Sequence, residues 1–237
     1  MKKQIIEKHV ETWTDLLEDL FQSKNMDATL KSIGKNFTPE IGYLFRAFRE
    51  CPLDQVKLVI IGQDPYPQKG VADGLAFSCS RKGKQEVSLE VIKEAMFREQ
   101  IHDFEPVDWK VTDLTYLANQ GVLLLNAALT CQVGKPGTHY QEWRWFIEGV
   151  LERLQDRGLT YILYGRIAQS LEPSIKGKVF KGYHPIAEKR SEGHIKFKTF
   201  LPETQLNLQW LPIDEKQLPE GFEDIDISIG EYPKLRL

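Results

Sequence analysis

The side chains best suited to chemistry in this chain each follow a short apolar stretch. The first stretch, residues 56–61, ends at Gly62, and a turn with two prolines follows it: Gln63, Asp64, Pro65, Tyr66 and Pro67. Three later stretches are each followed by a polar side chain: the first by Asn126, the second by Gly165 and Arg166, and the third by His184 and Pro185. A carboxylate, an amide and an imidazole arranged in this way could position a water molecule and bind a polar ring.

Each of these polar residues also has a simpler interpretation. Asp64 and Asn126 could cap the turns that follow them, and His184 could be a hydrogen-bonded core residue. For one residue alone, that structural interpretation is favoured. The recurrence of the pattern at three strand ends favours a ligand site, because pockets require convergent polar groups. One acid with one imidazole does not fit a two-acid glycosidase, and no serine stands in a nucleophile elbow, so hydrolysis by a positioned water remains.

The elements that must position these groups alternate along the chain. Amphipathic patterns and capping residues predict these helices: Thr12–Gln22, Phe37–Arg49, Ser88–Gln100, Thr112–Gln120 and Tyr140–Gln155. Short β-branched blocks predict four strands: 56–61, Val122–Leu125, Leu159–Tyr164 and Val179–Tyr183. This order predicts an α/β fold of three layers, with a central, largely parallel sheet flanked by helices on both faces. The carboxyl ends of its strands would bring the candidate residues to one edge.

Composition narrows the class of protein. A length of 237 residues fits one large domain over residues 1–201, followed by an acidic extension, 202–237, which could pack on the same domain. Three widely spaced cysteines without a CxxC motif predict a reduced, cytoplasmic protein without a metal site. The charged first ten residues predict no signal peptide, and no apolar run approaches the ~18 residues of a membrane span. The net charge of −3 argues weakly against a polyanionic partner, but the segment 166–198 is locally basic and could follow phosphates.

The segment 70–78, GVADGLAFS, adds a flat surface beside the acidic turn. Its two glycines allow close backbone approach, and Phe77 could stack on a planar ligand. Phenylalanine is more often a core residue, but the neighbouring Asp64 turn favours the stacking interpretation. Asn126 presents a donor and an acceptor on one plane, which suits the edge of a nucleobase.

Four motifs together resemble the uracil-DNA glycosylases of family 1. They are GQDPY at 62–66, GLAFS at 74–78, LLLNAALT at 123–130 and His184-Pro185, and the resemblance runs from about Leu53 to Phe200. It implies hydrolysis of the bond between uracil and deoxyribose in single- or double-stranded DNA after base flipping, by a monomer without cofactor or metal. The resemblance does not identify a protein inhibitor for this chain.

The resemblance also assigns roles to individual residues. Asp64 and His184 would be catalytic: Asp64 would orient the water and stabilise the sugar cation, and His184 would hydrogen-bond the departing uracil. The uracil-binding residues would be Gln63, Tyr66, Phe77 and Asn126, with Tyr66 excluding the thymine methyl and Asn126 rejecting cytosine. The DNA-binding residues would be Pro65, Ser88, Gly165, Arg166, Pro185, Ile186 and Arg190.

The most serious departure from the family pattern lies in the fourth motif. The family's HPSPLS, whose leucine enters the DNA minor groove, is here HPIAEKR, and the leucine position falls on Glu188. Ile186 could be a shifted wedge and Arg190 a phosphate contact. This departure leaves open a non-catalytic or altered-specificity uracil or DNA binder on the same fold. An unrelated nucleotide hydrolase with a metal on Asp64 is a third hypothesis, although companion carboxylates and a GxxxxGKS motif are missing.

Overall fold

The structure, a computed structural model, describes residues 11–80, 86–99 and 107–212. In chain order its strands are β1 Phe37–Thr38, β2 Leu58–Gly62, β3 Val122–Asn126, β4 Cys131–Gln132, β5 Thr160–Tyr164 and β6 Lys178–Gly182. The main sheet has the order β3-β2-β5-β6, and all of its pairings are parallel, whereas β1 and β4 form a small antiparallel pair. The predicted α/β fold with a central parallel sheet is confirmed.

Helices connect and cover these strands. They are α1 Thr14–Gln22, α2 Lys24–Ser32, α3 Arg46–Glu50, α4 Val87–Arg98, α5 Thr115–Ala118, α6 Tyr140–Arg153, α7 Arg166–Gln169, α8 Ile186–Arg190 and α9 Leu201–Thr204. Every residue of β2 and of β3 is buried. Because successive strand residues point to opposite faces, both faces of these strands must be covered. None of the described helices is long and apolar enough to cross a membrane.

The strand order creates a natural place for a ligand. The chain passes from β2 to β3 on one side and then to β5 on the other side of β2, so the winding direction reverses between β2 and β5. Ligands bind doubly wound sheets in the crevice outside the carboxyl ends of the strands at such a reversal. Gly62 and Asn126 are direct register partners at this edge, which brings the turn after β2 next to the end of β3.

Two predicted helices differ from the structure because strand pairing, a distant backbone group and a local side chain replace their helical pairings. In place of one helix over 37–49, Phe37 and Thr38 pair with the β4 strand, a 3-10 turn covers Ile41–Tyr43, and only α3 is α-helical. In place of a helix over 112–120, only α5 forms. Thr112 accepts the backbone N–H of Cys79 (3.0 Å), and the Asp113 carboxylate accepts that of Thr115 (2.9 Å).

The final described residues belong to the packed structure. Trp210 and Leu211 are buried in the hydrophobic core, and the Tyr116 hydroxyl donates to the Trp210 carbonyl (3.0 Å). The remainder of the predicted acidic extension lies outside the described residues. The division at residue 201 therefore remains a proposal, and residues 202–212 already pack on the domain.

Candidate active site

A cleft of about 980 Å³ opens at the carboxyl ends of β2, β5 and β6. Most of the predicted site residues line it: Gln63, Asp64, Pro65, Tyr66, Phe77, Ser88, Gly165, Arg166, His184, Ile186 and Arg190. Asn126 and Pro185 are not among the lining residues. Asn126 lies deeper, and Pro185 is buried at the start of α8. The fold thus brings together predicted residues that are separated by up to about half of the chain.

Gly62 lets an amide and an aromatic ring meet at the floor of this cleft. A Cβ at position 62 would lie 2.7 Å from Asn126 Oδ1 and 3.1 Å from Phe77 Cζ. The two side chains therefore occupy the space that any larger residue at position 62 would fill. The Phe77 ring also lies 6.1 Å from the His184 ring, centroid to centroid. Amide, phenyl and imidazole consequently surround one small volume.

Phe77 is held in an unusual backbone conformation. Its φ of +65° lies in the left-handed region, which costs a residue other than glycine about 1–3 kcal/mol. The turn from Asp73 to Ser78 encloses Phe77 and holds this conformation. The Ser78 hydroxyl donates to the buried Asp73 carboxylate (2.7 Å), which also pairs with Arg46 (3.0 Å). The Tyr66 hydroxyl donates to the Phe77 carbonyl (3.0 Å). Tyr66 and Phe77 are thereby set at a fixed distance from each other.

Asp64 is presented as a hydrogen-bonded carboxylate in a partly dry environment. The Gln63 amide donates to Oδ1 (3.1 Å), and the backbone N–H of Gly137 donates to Oδ2. Burial raises the pKa of Asp64, while the bonds from Gly137 and Gln63 and the charge of His139 oppose that shift. Such a carboxylate can accept a hydrogen bond from water and face a developing positive charge.

His184 is arranged as a neutral hydrogen-bond donor. The backbone N–H of Ile186 donates to its Nδ1 (3.3 Å), so the ring proton resides on Nε2. Burial, and secondarily the charge of Arg190, lowers the pKa of His184 to about 4. Gly165, with φ +88°, lies against the imidazole: a Cβ there would lie 3.2 Å from the His184 Cβ. A side chain at position 165 would therefore displace the imidazole.

Comparison with known proteins agrees with this geometry. The family model "Uracil DNA glycosylase superfamily" matches residues 48–204. A uracil-DNA glycosylase of Campylobacter jejuni subsp. doylei is 37% identical over 186 residues, 73% of this chain and 78% of that protein. The chain belongs to the uracil-DNA glycosylase superfamily. A second relative of the superfamily, uracil-DNA glycosylase 1 of Listeria monocytogenes serotype 4b, is 35% identical and covers 81% of this chain and 90% of its own length.

Solved structures show the same fold. The crystal structure of mimivirus uracil-DNA glycosylase aligns with a TM-score of 0.68 at 22% identity, covering 78% of this chain and 71% of that one. A variant of the mimivirus protein was solved in complex with UGI.

The segment that departs from the uracil-DNA glycosylase motif forms the short helix α8. Glu188, at the motif's leucine position, is only 7% exposed. Its carboxylate accepts from the Arg98 guanidinium (3.0 Å) and from the backbone N–H of Phe197 (2.7 Å). These partners hold Glu188 inward, so its side chain cannot enter DNA. Ile186 remains at the edge of the cleft.

Many lysines of the predicted phosphate track are engaged with acids. Lys181 pairs with Glu172 (3.0 Å), and Lys198 pairs with Glu203. Arg166 and Arg190 are exposed, line the cleft, and have no ion-pair partner among the residues that the structure describes. These two arginines are therefore the cations best placed to meet phosphates.

Two contributors to the site were missed by sequence reasoning. Gly137 bonds Asp64 across 73 positions, and the buried His139 lies close enough for its charge to influence Asp64. His139 Nδ1 lies 2.9 Å from the Thr130 hydroxyl, which also accepts the indole N–H of Trp143 (2.7 Å). The sequence did predict a helix that begins at Tyr140, but nothing local linked the residues before it to Asp64.

Proposed function

We propose that this protein hydrolyses the bond between uracil and deoxyribose in DNA and leaves an abasic site. The observation that carries the proposal is the convergence of Asp64, Phe77 and His184 in one cleft, with the Asn126 amide directly behind Phe77 above Gly62, at the point where the sheet reverses its winding direction. The family relationship supports the same reaction and the same substrate.

The pocket floor would recognise the flipped base. Phe77 offers a ring face for stacking, and the Asn126 amide beside it matches the donor and acceptor pattern of the uracil edge. Cytosine presents an amino group where uracil presents a carbonyl, so the same amide would meet a mismatched partner. Tyr66, fixed to the Phe77 carbonyl, would occupy the place of the thymine methyl group.

Bond cleavage would depend on two opposed electrostatic groups. As the glycosidic bond breaks, its electron pair moves to uracil and positive charge develops on the sugar. The ionised Asp64 would stabilise that charge, orient the water whose oxygen then bonds to the anomeric carbon, and accept the proton that this water loses. The Nε2–H of His184 would donate to the uracil oxygen that gains negative charge. Preorganised groups of this kind contribute about 3–4 kcal/mol each in a dry site.

Arg166 and Arg190 would bind phosphates of single- or double-stranded DNA on either side of the flipped nucleotide. One chain supplies every named group, which supports a monomer as the active form. A DNA substrate supports a cytoplasmic location, and an inhibitor protein covering the cleft would compete with DNA.

The test is uracil release from oligonucleotides that carry one uracil, single-stranded and duplex, in the presence of EDTA. We expect abasic sites on both substrates. Binding of DNA without any abasic site would indicate a non-catalytic binder instead. Activity that disappears in EDTA and returns with added metal would indicate a metal-dependent hydrolase.

A further inference from the structure

Extraction of a base from a duplex leaves a gap that the cleft itself does not fill. The nucleotides on both sides lose a stacking partner, and the opposite base loses its pair, at a cost of a few kcal/mol. Proteins that distort duplexes offset this cost with an apolar side chain inserted between bases. If the proposed function holds, one side chain of this protein must fill the gap.

The residues of α8 are poorly suited to this task. Glu188 is held inward by Arg98 and by the backbone of Phe197, and it carries a charge. Ala187 is too small to fill the space of a base. Ile186 is only partly exposed, and its backbone N–H is bonded to His184, which keeps it close to the imidazole.

Tyr183 stands out on the rim of the same cleft. Its side chain is 63% exposed, the highest value among the large hydrophobic side chains that the structure describes; the next, Phe97, is 44% exposed. It follows β6 directly and precedes His184, so its backbone is anchored to the sheet next to the imidazole. The phenol oxygen has no hydrogen-bond partner within the described part of the chain. The ring is therefore free to contact a ligand.

The charges around Tyr183 suit a DNA strand. Arg166 and Arg190 line the same cleft, are exposed and have no ion-pair partner among the described residues, so phosphates could be held while the ring meets the bases. Aromatic rings stack on any base, and a tyrosine has few rotatable bonds to order. We propose that Tyr183 is the side chain that enters the duplex and takes the place of the flipped uracil.

The test compares Tyr183→Ala with the wild type on duplex and single-stranded substrates of the same sequence. We expect kcat/KM on duplex DNA to fall about ten- to a hundredfold, which matches the loss of one stacked aromatic ring. On single-stranded DNA, where no pair is broken, the loss should stay within about threefold. Tyr183→Phe should restore the duplex rate, because the hydroxyl has no assigned role. Ile41→Ala, which removes an exposed apolar side chain outside the cleft, is the control.

A second measurement separates gap filling from a structural defect. A duplex with a pyrene nucleotide opposite uracil fills the vacated space from the DNA side, and it should restore most of the duplex rate of Tyr183→Ala. Equal losses on both substrates, or no restoration by pyrene, would overturn the assignment. A duplex-specific loss confined to Ile186→Ala would transfer the role to Ile186. A wild-type protein that releases no uracil from single strands would instead refute the proposed function.

Discussion

Replacing Gly62 by alanine would add a methyl group at the most crowded point of the cleft floor. The new carbon would lie 2.7 Å from Asn126 Oδ1, whereas ordinary contacts begin at 3.4 Å. The amide oxygen must therefore retreat by roughly 0.7 Å, the difference between these two distances. Phe77 Cζ, at 3.1 Å, must also shift. Asn126 is 5% exposed and is the register partner of Gly62 in the sheet, so it has little room to move.

The consequences for rate and stability can be estimated from this overlap. A misplacement of about 1 Å can cost about a hundredfold in rate. We therefore expect Gly62→Ala to lower kcat/KM for uracil release about ten- to a hundredfold. Overpacking a buried site lowers the free energy of unfolding by about 1–3 kcal/mol. Because this loss leaves most domains of this size folded, activity and stability can be measured separately.

The assay is uracil release from a single-stranded oligonucleotide, which removes the cost of opening a duplex. Gly42→Ala is the matched control: no atom lies within 4 Å of its added carbon, so activity and melting temperature should be unchanged. Chemical denaturation would report the stability of both variants. A Gly62→Ala protein with wild-type activity would refute the inference that Asn126 and Phe77 act together above this glycine.

Three further predictions concern the same cleft. The rate should fall as the pH is lowered from 7 toward 4. Burial raises the pKa of Asp64, so this carboxylate becomes protonated, and His184, with a pKa of about 4, begins to gain a proton. A rate that rises on acidification would indicate that a protonated imidazole is the active form. Tyr66→Ala should allow release of thymine from DNA, detected as free base, and continued rejection of thymine would remove Tyr66 from the gatekeeper role. Arg166→Gln and Arg190→Gln should each reduce the slope of log affinity against log salt by about 0.9 on duplex DNA. An unchanged slope in both variants would show that neither arginine binds phosphate.

The strand exits could be predicted from the sequence because each depends on local signals. β-branched blocks ending in glycine, amide or imidazole define strands and their ends within a few residues. Once parallel order is assumed, chain topology brings Asp64, Asn126 and His184 to one edge. The identity of the groups and their common location therefore follow from short-range patterns combined with one rule of topology.

Features that depend on distant partners could not be predicted in this way. Phe37 is predicted to be part of a helix, but it pairs with Gln132 of β4 in an antiparallel ladder. Glu188 stands at the position of the motif's leucine, which enters DNA in the family, but Arg98, 90 positions earlier, holds the Glu188 side chain inside. Gly137 has no local feature that indicates a bond to Asp64. Tertiary contacts of this kind override local propensity, and they decide which side chains remain free on the rim of the cleft.

The most direct test of the central claim is a single-turnover measurement of free uracil released from a single-stranded oligonucleotide by the wild type and by Asp64→Asn. DNA affinity is measured in parallel on the same two proteins. The wild type should release uracil. Asp64→Asn should release it at least about a hundredfold more slowly, with affinity within about threefold of wild type, since the lost charge acts mainly in the transition state. Failure of the wild type to release uracil, or equal losses of rate and affinity in the variant, would contradict the account.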